Sequence, residues 1–142
     1  MMSEFEDDGL YFRYPDSWQL EREDTDCGWT VSLQSPGTAF LMLTVNEDMP
    51  SVERMTETAL SALREEYPDL EADACVDSLA GRPAVGHDIH FFSLDLTNTC
   101  WTRSFYSGRG TVLVLCQSND LELETTEPVL RAICASLEVD DE

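Results

Sequence analysis

The chain is poor in cations. It contains no lysine, and its eight arginines face 29 aspartates and glutamates, which gives a formal net charge of −21 at pH 7. A field of this sign repels phosphate groups, so the composition excludes nucleic acid as a direct partner and disfavours anionic membrane surfaces. The missing lysine also excludes a Walker-type phosphate loop and Schiff-base chemistry. Two interpretations of the acidity stay open: a solvated surface that keeps the protein soluble, or attraction of a basic partner or a divalent cation.

Targeting segments and long apolar runs are also missing. The N-terminus, MMSEFEDD, has neither a basic nor an apolar region, and the longest strongly apolar run, Thr111 to Cys116, is far too short to span a membrane. The five cysteines show no Cys-x-x-Cys spacing, and their odd number without a secretory signal predicts free thiols in a reducing compartment. We therefore expect a cytoplasmic protein with no membrane insertion and five reduced cysteines.

Motifs that carry chemistry are scarce. His87 and His90, the two histidines, lie in one predicted strand, and alternation sends them to opposite faces, so they do not predict a metal site. Asp24 opens a stretch similar to a calcium loop, which lacks the glycine and the glutamate that such a loop requires. A nucleophile would require the fold to bring Cys100 or Cys116 to His90. We predict no metal site and no cofactor, with a small thiol enzyme as an alternative.

The most regular feature is a β-hairpin between Cys100 and Gln117. Two runs rich in β-branched and aromatic residues flank the sequence Ser-Gly-Arg-Gly, which is typical of a tight turn. Neither face of the hairpin is uniformly polar, so we expect it to lie inside a sheet. A two-residue loop at Gly108-Arg109 sets the register, and it predicts that Phe105 lies opposite Val112, Arg103 opposite Val114 and Trp101 opposite Cys116.

Two helices interrupt the predicted strands. Ser51 is the expected N-cap of the first helix, which Pro68 ends, and Thr126 is the expected N-cap of the second, with Pro128 in its first turn. Before the hairpin, alternating or apolar runs predict strands at residues 10–14, 18–20, 29–34, 39–45, 70–76 and 84–96. A charged loop is expected at 21–26 and a bulge near residues 91–92, where the alternation slips.

The order of these elements fixes the predicted fold class. Four strands, a helix, four strands and a helix, joined mostly by short turns, indicate an α+β domain with an antiparallel sheet and helices packed on its faces. The length of 142 residues and a hydrophobic content of 42% suit a single domain over residues 1–142. We expect an ordered core over about residues 10–138 and acidic tails at both ends, with residues 1–8 frayed.

Two short stretches resemble the PsbP-like superfamily. Residues 11–18, YFRYPDSW, are similar to its strand–Pro–Asp/Gly–Trp opening, and residues 79–84, LAGRPA, to its mid-chain x-G-x-x-A turn. The group includes the photosynthetic PsbP proteins, the Mog-type import factors, the periplasmic DcrB lipoproteins and the cytoplasmic Eag chaperones of type VI secretion effectors. Size, cytoplasmic character and the Glu127-Pro128 helix opening resemble the Eag type most. The resemblance implies an α/β/α sandwich and binding rather than catalysis, and it transfers no site residues.

These observations predict a non-enzymatic, cytoplasmic module that binds another protein, such as a secretion-effector chaperone or an adaptor. Arg103 shares a strand face with Trp101 and Phe105, so it either pairs with a carboxylate at a sheet end or marks a partly open, ligand-facing surface. The second alternative makes Trp101, Arg103, Phe105 and His90 candidate binding residues. A thiol enzyme and a carrier of a small ligand or divalent ion are the alternative functions, and a homodimer is compatible with the sequence.

Overall fold

Two antiparallel sheets and two helices make up residues 1–140, the part of the chain that the computed structural model describes. The helices are α1 (Val52–Glu66) and α2 (Leu123–Ala135). The strands are β1 (Met2–Asp7), β2 (Leu10–Pro15), β3 (Gln19–Thr25), β4 (Gly28–Gln34), β5 (Phe40–Asn46), β6 (Glu71–Leu79), β7 (Arg82–Ser93), β8 (Leu96–Ser107), β9 (Gly110–Asn119) and β10 (Glu138–Val139).

The larger sheet has seven strands in the order β3-β4-β5-β9-β8-β7-β6, and the smaller sheet has the order β1-β2-β10. Helix α1 packs on one face of the larger sheet, mainly on β7, β8 and β9, while α2 packs on β9 and β2. The predicted α+β class with an antiparallel sheet and a helix on each face is confirmed. The second sheet is an addition to the predicted architecture, and it shares the face of α2.

The strand alternation creates two separate cores. Trp101 and Phe105 of β8 point towards α2, whereas Cys100 points towards α1, because successive side chains of a strand lie on opposite faces. Under α1, the ring of Tyr67 stacks on Phe91 with 4.1 Å between centroids. The larger core lies between the seven-stranded sheet, α2 and the small sheet, and its fully buried members include Phe12, Val31, Leu33, Leu41, Leu43, Phe105, Val112 and Leu130.

The central hairpin forms as predicted. Strands β8 and β9 pair with Phe105 opposite Val112, and the loop is Gly108-Arg109, closed by the pair Ser107–Gly110. The hairpin lies between β5 and β7, well inside the larger sheet. The register was predictable because turn chemistry and the hydrophobic pattern point to the same pairing.

Two charged stretches near the N-terminus form strands, which corrects the predictions of a frayed tail and a loop. Residues Met2–Asp7 pair with β2, and Phe5 stacks on Phe12 at 4.9 Å between ring centroids. The predicted loop at 21–26 belongs to β3 as far as Thr25. Arg22 stabilises this strand because its guanidinium binds the carboxylates of Asp7 and Asp8 at 2.8 Å and Asp24 at 2.7 Å.

Two further local predictions are wrong. Strand β7 contains no bulge at residues 91–92, since its pairing with β8 runs without interruption to Ser93–Leu96; the alternation slips there because Phe92 is exposed. Helix α2 begins at Leu123, so Pro128 lies inside the helix and Thr126 is not its N-cap. The Thr126 hydroxyl instead lies 2.8 Å from the hydroxyl of Ser118.

The end of the described chain is partly ordered. Glu138 and Val139 pair with β2, which places the start of the predicted acidic tail in the small sheet. Asp140 of that predicted tail donates its N–H to the carbonyl oxygen of Gly9 at 2.7 Å, and residues 141–142 lie outside the described residues. Within residues 1–140, neither helix has the length and apolar character that a membrane crossing requires.

Candidate protein-binding surface

Arg103 is a buried cation at the centre of an ion-pair network with two half-exposed carboxylates. Its guanidinium donates to Asp88 on β7 at 3.0 Å and to Asp77 on β6 at 3.5 Å. A third bond reaches the carbonyl oxygen of Thr102 at 2.7 Å. Burial lowers the pKa of Arg103, but the hydrogen bonds to Asp88 and Asp77 and the nearby negative charge together more than offset it, so the net pKa is raised and the group stays charged. Of the two alternatives for Arg103, the structure therefore contains the carboxylate pair.

The neighbours of Arg103 on β8 belong to the core. Trp101 is 4% exposed and Phe105 is fully buried. The guanidinium of Arg131, on α2, lies 4.6 Å from the centroid of the Trp101 ring and also binds Glu127 at 3.1 Å. Because α2 covers this part of β8, Trp101, Arg103 and Phe105 do not form the open, ligand-facing surface that the second alternative required.

The same face of the sheet is open beside α2, on β6 and β7. Residues directly opposite in antiparallel strands point to the same side, so Glu71 and Asp73 of β6 share a side with His90 and Asp88 of β7. Glu71, Asp73 and His90 are exposed, and Asp88 is half-buried. We call this surface the acidic shelf; it comprises Glu71, Asp73, Asp77 and Asp88 from the sheet and Asp120, Glu124 and Glu127 from the start of α2 and the turn before it.

A groove of about 530 Å³ runs along α2 at the edge of the shelf, lined by Asp120, Glu124, Glu127 and Arg131 among others. His90, the remaining predicted binding residue, reaches this region through Thr99. The Thr99 hydroxyl donates to Asp120 at 2.7 Å, and its oxygen lies 3.4 Å from Nδ1 of His90. His90 is therefore the one predicted binding residue that lies exposed on this surface.

Three large apolar side chains project at the adjacent end of the sheet. Phe92 is 73% exposed, Leu94 is 93% exposed and Leu121 is 79% exposed. Phe92 follows His90 by two residues on the same strand face and pairs with Thr97, whose carbonyl accepts from the N–H of Asp120 at 2.8 Å. This chain of contacts places the three side chains at one end of β7, β8 and β9; we call them the apolar tip.

The turn that carries Leu94 is conformationally strained. Leu94 and Asp95 form a two-residue loop closed by the pair Ser93–Leu96, and their φ angles are +54° and +63°. Left-handed backbone at both loop positions is usual for asparagine and glycine and unfavourable for leucine. The protein thus holds an exposed leucine in a conformation that local propensity opposes.

The thiol–histidine pairs that the alternative of a thiol enzyme would require do not form. Cys100 lies on the α1 side of β8, where burial raises its pKa to about 12, whereas His90 lies on the other side of the sheet. Cys116 contacts the sulfur of Cys134 rather than a histidine. Among residues 1–140, no group of three or more His, Cys, Asp or Glu side chains is placed to hold a metal ion.

Sequence reasoning missed the apolar tip. The available signal was the broken alternation at Phe91-Phe92, which reports an outward-pointing phenylalanine as readily as a bulge. Leu94 and Leu121 sit in connections, where a single leucine gives no periodic pattern to interpret. Their common location follows only from strand pairing.

Comparison with known proteins gives a fold but no close relative. No family model and no curated protein matches the chain. Among solved structures, the cyanobacterial PsbP protein CyanoP from Synechocystis sp. PCC 6803 is similar with a TM-score of 0.65 at 15% identity, over 98% of this chain and 92% of that chain.

Two other structures are similar at comparable distance. LpqN of Mycobacterium tuberculosis, described as involved in cell envelope biogenesis, has a TM-score of 0.57 at 14% identity, over 98% of this chain and 90% of its own. A Bacteroides thetaiotaomicron protein has a TM-score of 0.62 at 11% identity, over 94% of this chain and 46% of its own. Identities this low relate architecture alone, and on that basis the chain has the PsbP-like fold.

Proposed function

We propose that the protein is a non-enzymatic module that binds another protein through the apolar tip and the acidic shelf. The observation that carries the proposal is the exposure of Phe92, Leu94 and Leu121 together at one end of the sheet. Clustered apolar side chains with a polar rim are typical of protein interaction sites. Single exposed apolar residues would need no such explanation.

The charge around the tip favours a partner of opposite sign. Arg103 and Arg131 offset Asp77, Asp88 and Glu127, while Glu71, Asp73 and Glu124 add further carboxylates to the same face. A partner with an apolar patch ringed by arginine or lysine matches this arrangement. The net charge of −21 would also speed its approach at low ionic strength.

The test is crosslinking followed by a binding measurement. A photoreactive phenylalanine at position 92 should trap a partner in the producing cells, and the same group at position 76 should not. Val76 is a matched control because it is 82% exposed but points to the α1 side of β6. Once the trapped protein is purified, Phe92→Ser should raise the dissociation constant of the complex at least about tenfold, as for an aromatic hot spot.

The control at Val76 distinguishes the proposed binding surface from other surfaces of the protein. We expect Val76→Ser to leave affinity unchanged and added NaCl to weaken wild-type binding. Crosslinks at position 76 with none at 92 would instead indicate pairing along the free edge of β6. A crosslink between two copies of the chain would indicate a homodimer, and the absence of any crosslink at 92 would contradict the proposed surface.

The finer form of the proposal is a cytoplasmic chaperone or adaptor, which is supported by the resemblance to the Eag type. Fractionation of producing cells should then recover the protein with the soluble cytoplasm. Omitting the protein should lower the soluble yield of its crosslinked partner, as expected for a chaperone client. An unchanged yield would favour an adaptor.

A further inference from the structure

Cys116 and Cys134 form a thiol pair between the sheet and α2. Their sulfur atoms lie 3.8 Å apart, although 18 residues separate them in sequence. Cys116 is on β9 and fully buried, and Cys134 is in the last turn of α2, half-buried. A disulfide requires the sulfurs to approach to about 2 Å. The two sulfurs must therefore approach each other by about 2 Å for the bond to form.

The two thiols differ in ways that suit sequential oxidation. A hydrogen bond from Cys116 lowers the pKa of Cys134, and the guanidinium of Arg131 acts in the same direction. Burial raises the pKa of Cys116 well above its ordinary value. Thiolate is the reactive form towards peroxide, so Cys134 is the nucleophile and Cys116 the thiol that resolves it.

Access also distinguishes Cys134. It borders a depression of about 520 Å³ between the β6–β7 turn and the end of α2, together with Ser78, Ala80 and Gly81. Cys134 therefore lies closer to solvent than Cys116, which is fully buried. Cys100 is fully buried as well. Among residues 1–140, Cys116 and Cys134 are the two cysteine sulfurs in mutual contact.

We propose that Cys116 and Cys134 are an oxidation-sensitive dithiol that a small peroxide converts to a disulfide clamping α2 onto β9. The Cys134 thiolate attacks one peroxide oxygen, the O–O bond breaks, and a sulfenic acid and water form. The Cys116 sulfur then attacks the Cys134 sulfur and displaces a second water. Two thiols lose two electrons and two protons, and one hydrogen peroxide becomes two waters.

The test is a thiol count combined with a melting curve on the full chain. Reduced protein should show five thiols in denaturant, and three after treatment with one equivalent of hydrogen peroxide. Peptide mapping should identify the Cys116–Cys134 linkage. The melting temperature should rise by about 5–10 °C, because the crosslink closes a loop in the unfolded chain, and dithiothreitol should reverse the rise.

Matched variants keep the result interpretable. Cys134→Ser should retain its remaining four thiols after peroxide and show no rise in melting temperature. Cys75→Ser removes a half-buried cysteine elsewhere, and it should lose two thiols as the wild type does. Cys116→Ser should also keep its melting temperature after peroxide and form no Cys134 disulfide; if this variant fails to fold, Cys134→Ser alone decides the matter. A count that stays at five, a disulfide joining other cysteines, or conversion of Cys134 to a sulfinic acid would overturn the proposal.

Discussion

The sequence identifies Arg103 as a cation that fits its apolar strand face poorly, but it does not identify the partners of Arg103. A cation between Trp101 and Phe105 on a strand face predicts either an ion pair or an open surface. The deciding residues, Asp77 and Asp88, lie 26 and 15 positions away, so only the β6–β7–β8 pairing brings them within reach. The residue types alone therefore leave an ion pair and an open surface as alternatives for Arg103, and the order of the strands in the sheet decides for the ion pair.

Replacing Arg103 with methionine should destabilise the protein while the fold persists. The change leaves the half-exposed Asp88 and the Thr102 carbonyl without their donor, and loss of hydrogen bonds to a charged group costs about 2 kcal/mol. Urea denaturation at pH 7 measures this. Arg13→Met removes the same charge from an exposed position of β2 and should change the free energy of unfolding by less than about 0.5 kcal/mol.

The loss of stability in Arg103→Met should depend on pH. A hydrogen bond from the Ser78 N–H lowers the pKa of Asp77, and Arg103 lowers it further. A carboxyl whose folded-state pKa is depressed contributes stability above its unfolded value of 3.8, and that contribution is lost as pH falls through the folded value. The stability difference between wild type and Arg103→Met should therefore shrink below pH 4. A stability difference that stays constant down to pH 2.5 would mean that the ionisation of Asp77 does not contribute to it.

At the scale of elements, a hairpin with local sequence signals was predicted correctly, whereas strands that depend on long-range pairing were missed. The β8–β9 hairpin was predictable to the register because its turn and its alternation lie within one short stretch. Strand β1 was missed because Phe5 stands alone among acidic residues, and its burial depends on Phe12 and Trp29. The small sheet was missed because β10 is two residues long and pairs with β2 from the far end of the chain.

The β7–β8 turn offers a test of whether the apolar tip is held against local preference. Leu94→Asn with Asp95→Gly supplies residues that adopt the observed φ angles of +54° and +63° without strain. We expect the free energy of unfolding to rise by about 1 kcal/mol or more, measured in urea. Affinity for the protein trapped at position 92 should fall, because Leu94 no longer contacts it.

A matched control separates the two effects. Leu121→Asn removes another exposed leucine of the tip from a turn without positive φ, so it should weaken binding and leave stability nearly unchanged. A double variant at 94 and 95 that loses stability would show that the turn is not strained. A double variant that gains stability and binds as tightly as the wild type would show that Leu94 is not part of the binding surface.

The whole molecule is dominated by its charge. With 29 acidic and eight basic residues, self-repulsion opposes the compact state, and several of the arginines are already engaged with carboxylates, as Arg22, Arg103 and Arg131 show. On the edge strand β6, Glu71, Asp73 and Asp77 all lie on one face, and Arg103 offsets Asp77 there, so part of the repulsion remains. Such a row of charges does discourage edge-to-edge aggregation, so the charge that lowers stability also protects an exposed edge.

Salt should therefore stabilise the protein. The Debye length falls from about 10 Å at 0.1 M to about 3 Å at 1 M, which screens repulsion between neighbouring carboxylates. We expect the melting temperature, followed by circular dichroism, to rise between 0.05 M and 1 M NaCl. Choline chloride at equal ionic strength should give a similar rise, since screening does not depend on the cation. A rise with NaCl alone would indicate specific cation binding, and a flat or falling curve would mean that the acidic groups are already paired or too far apart to interact.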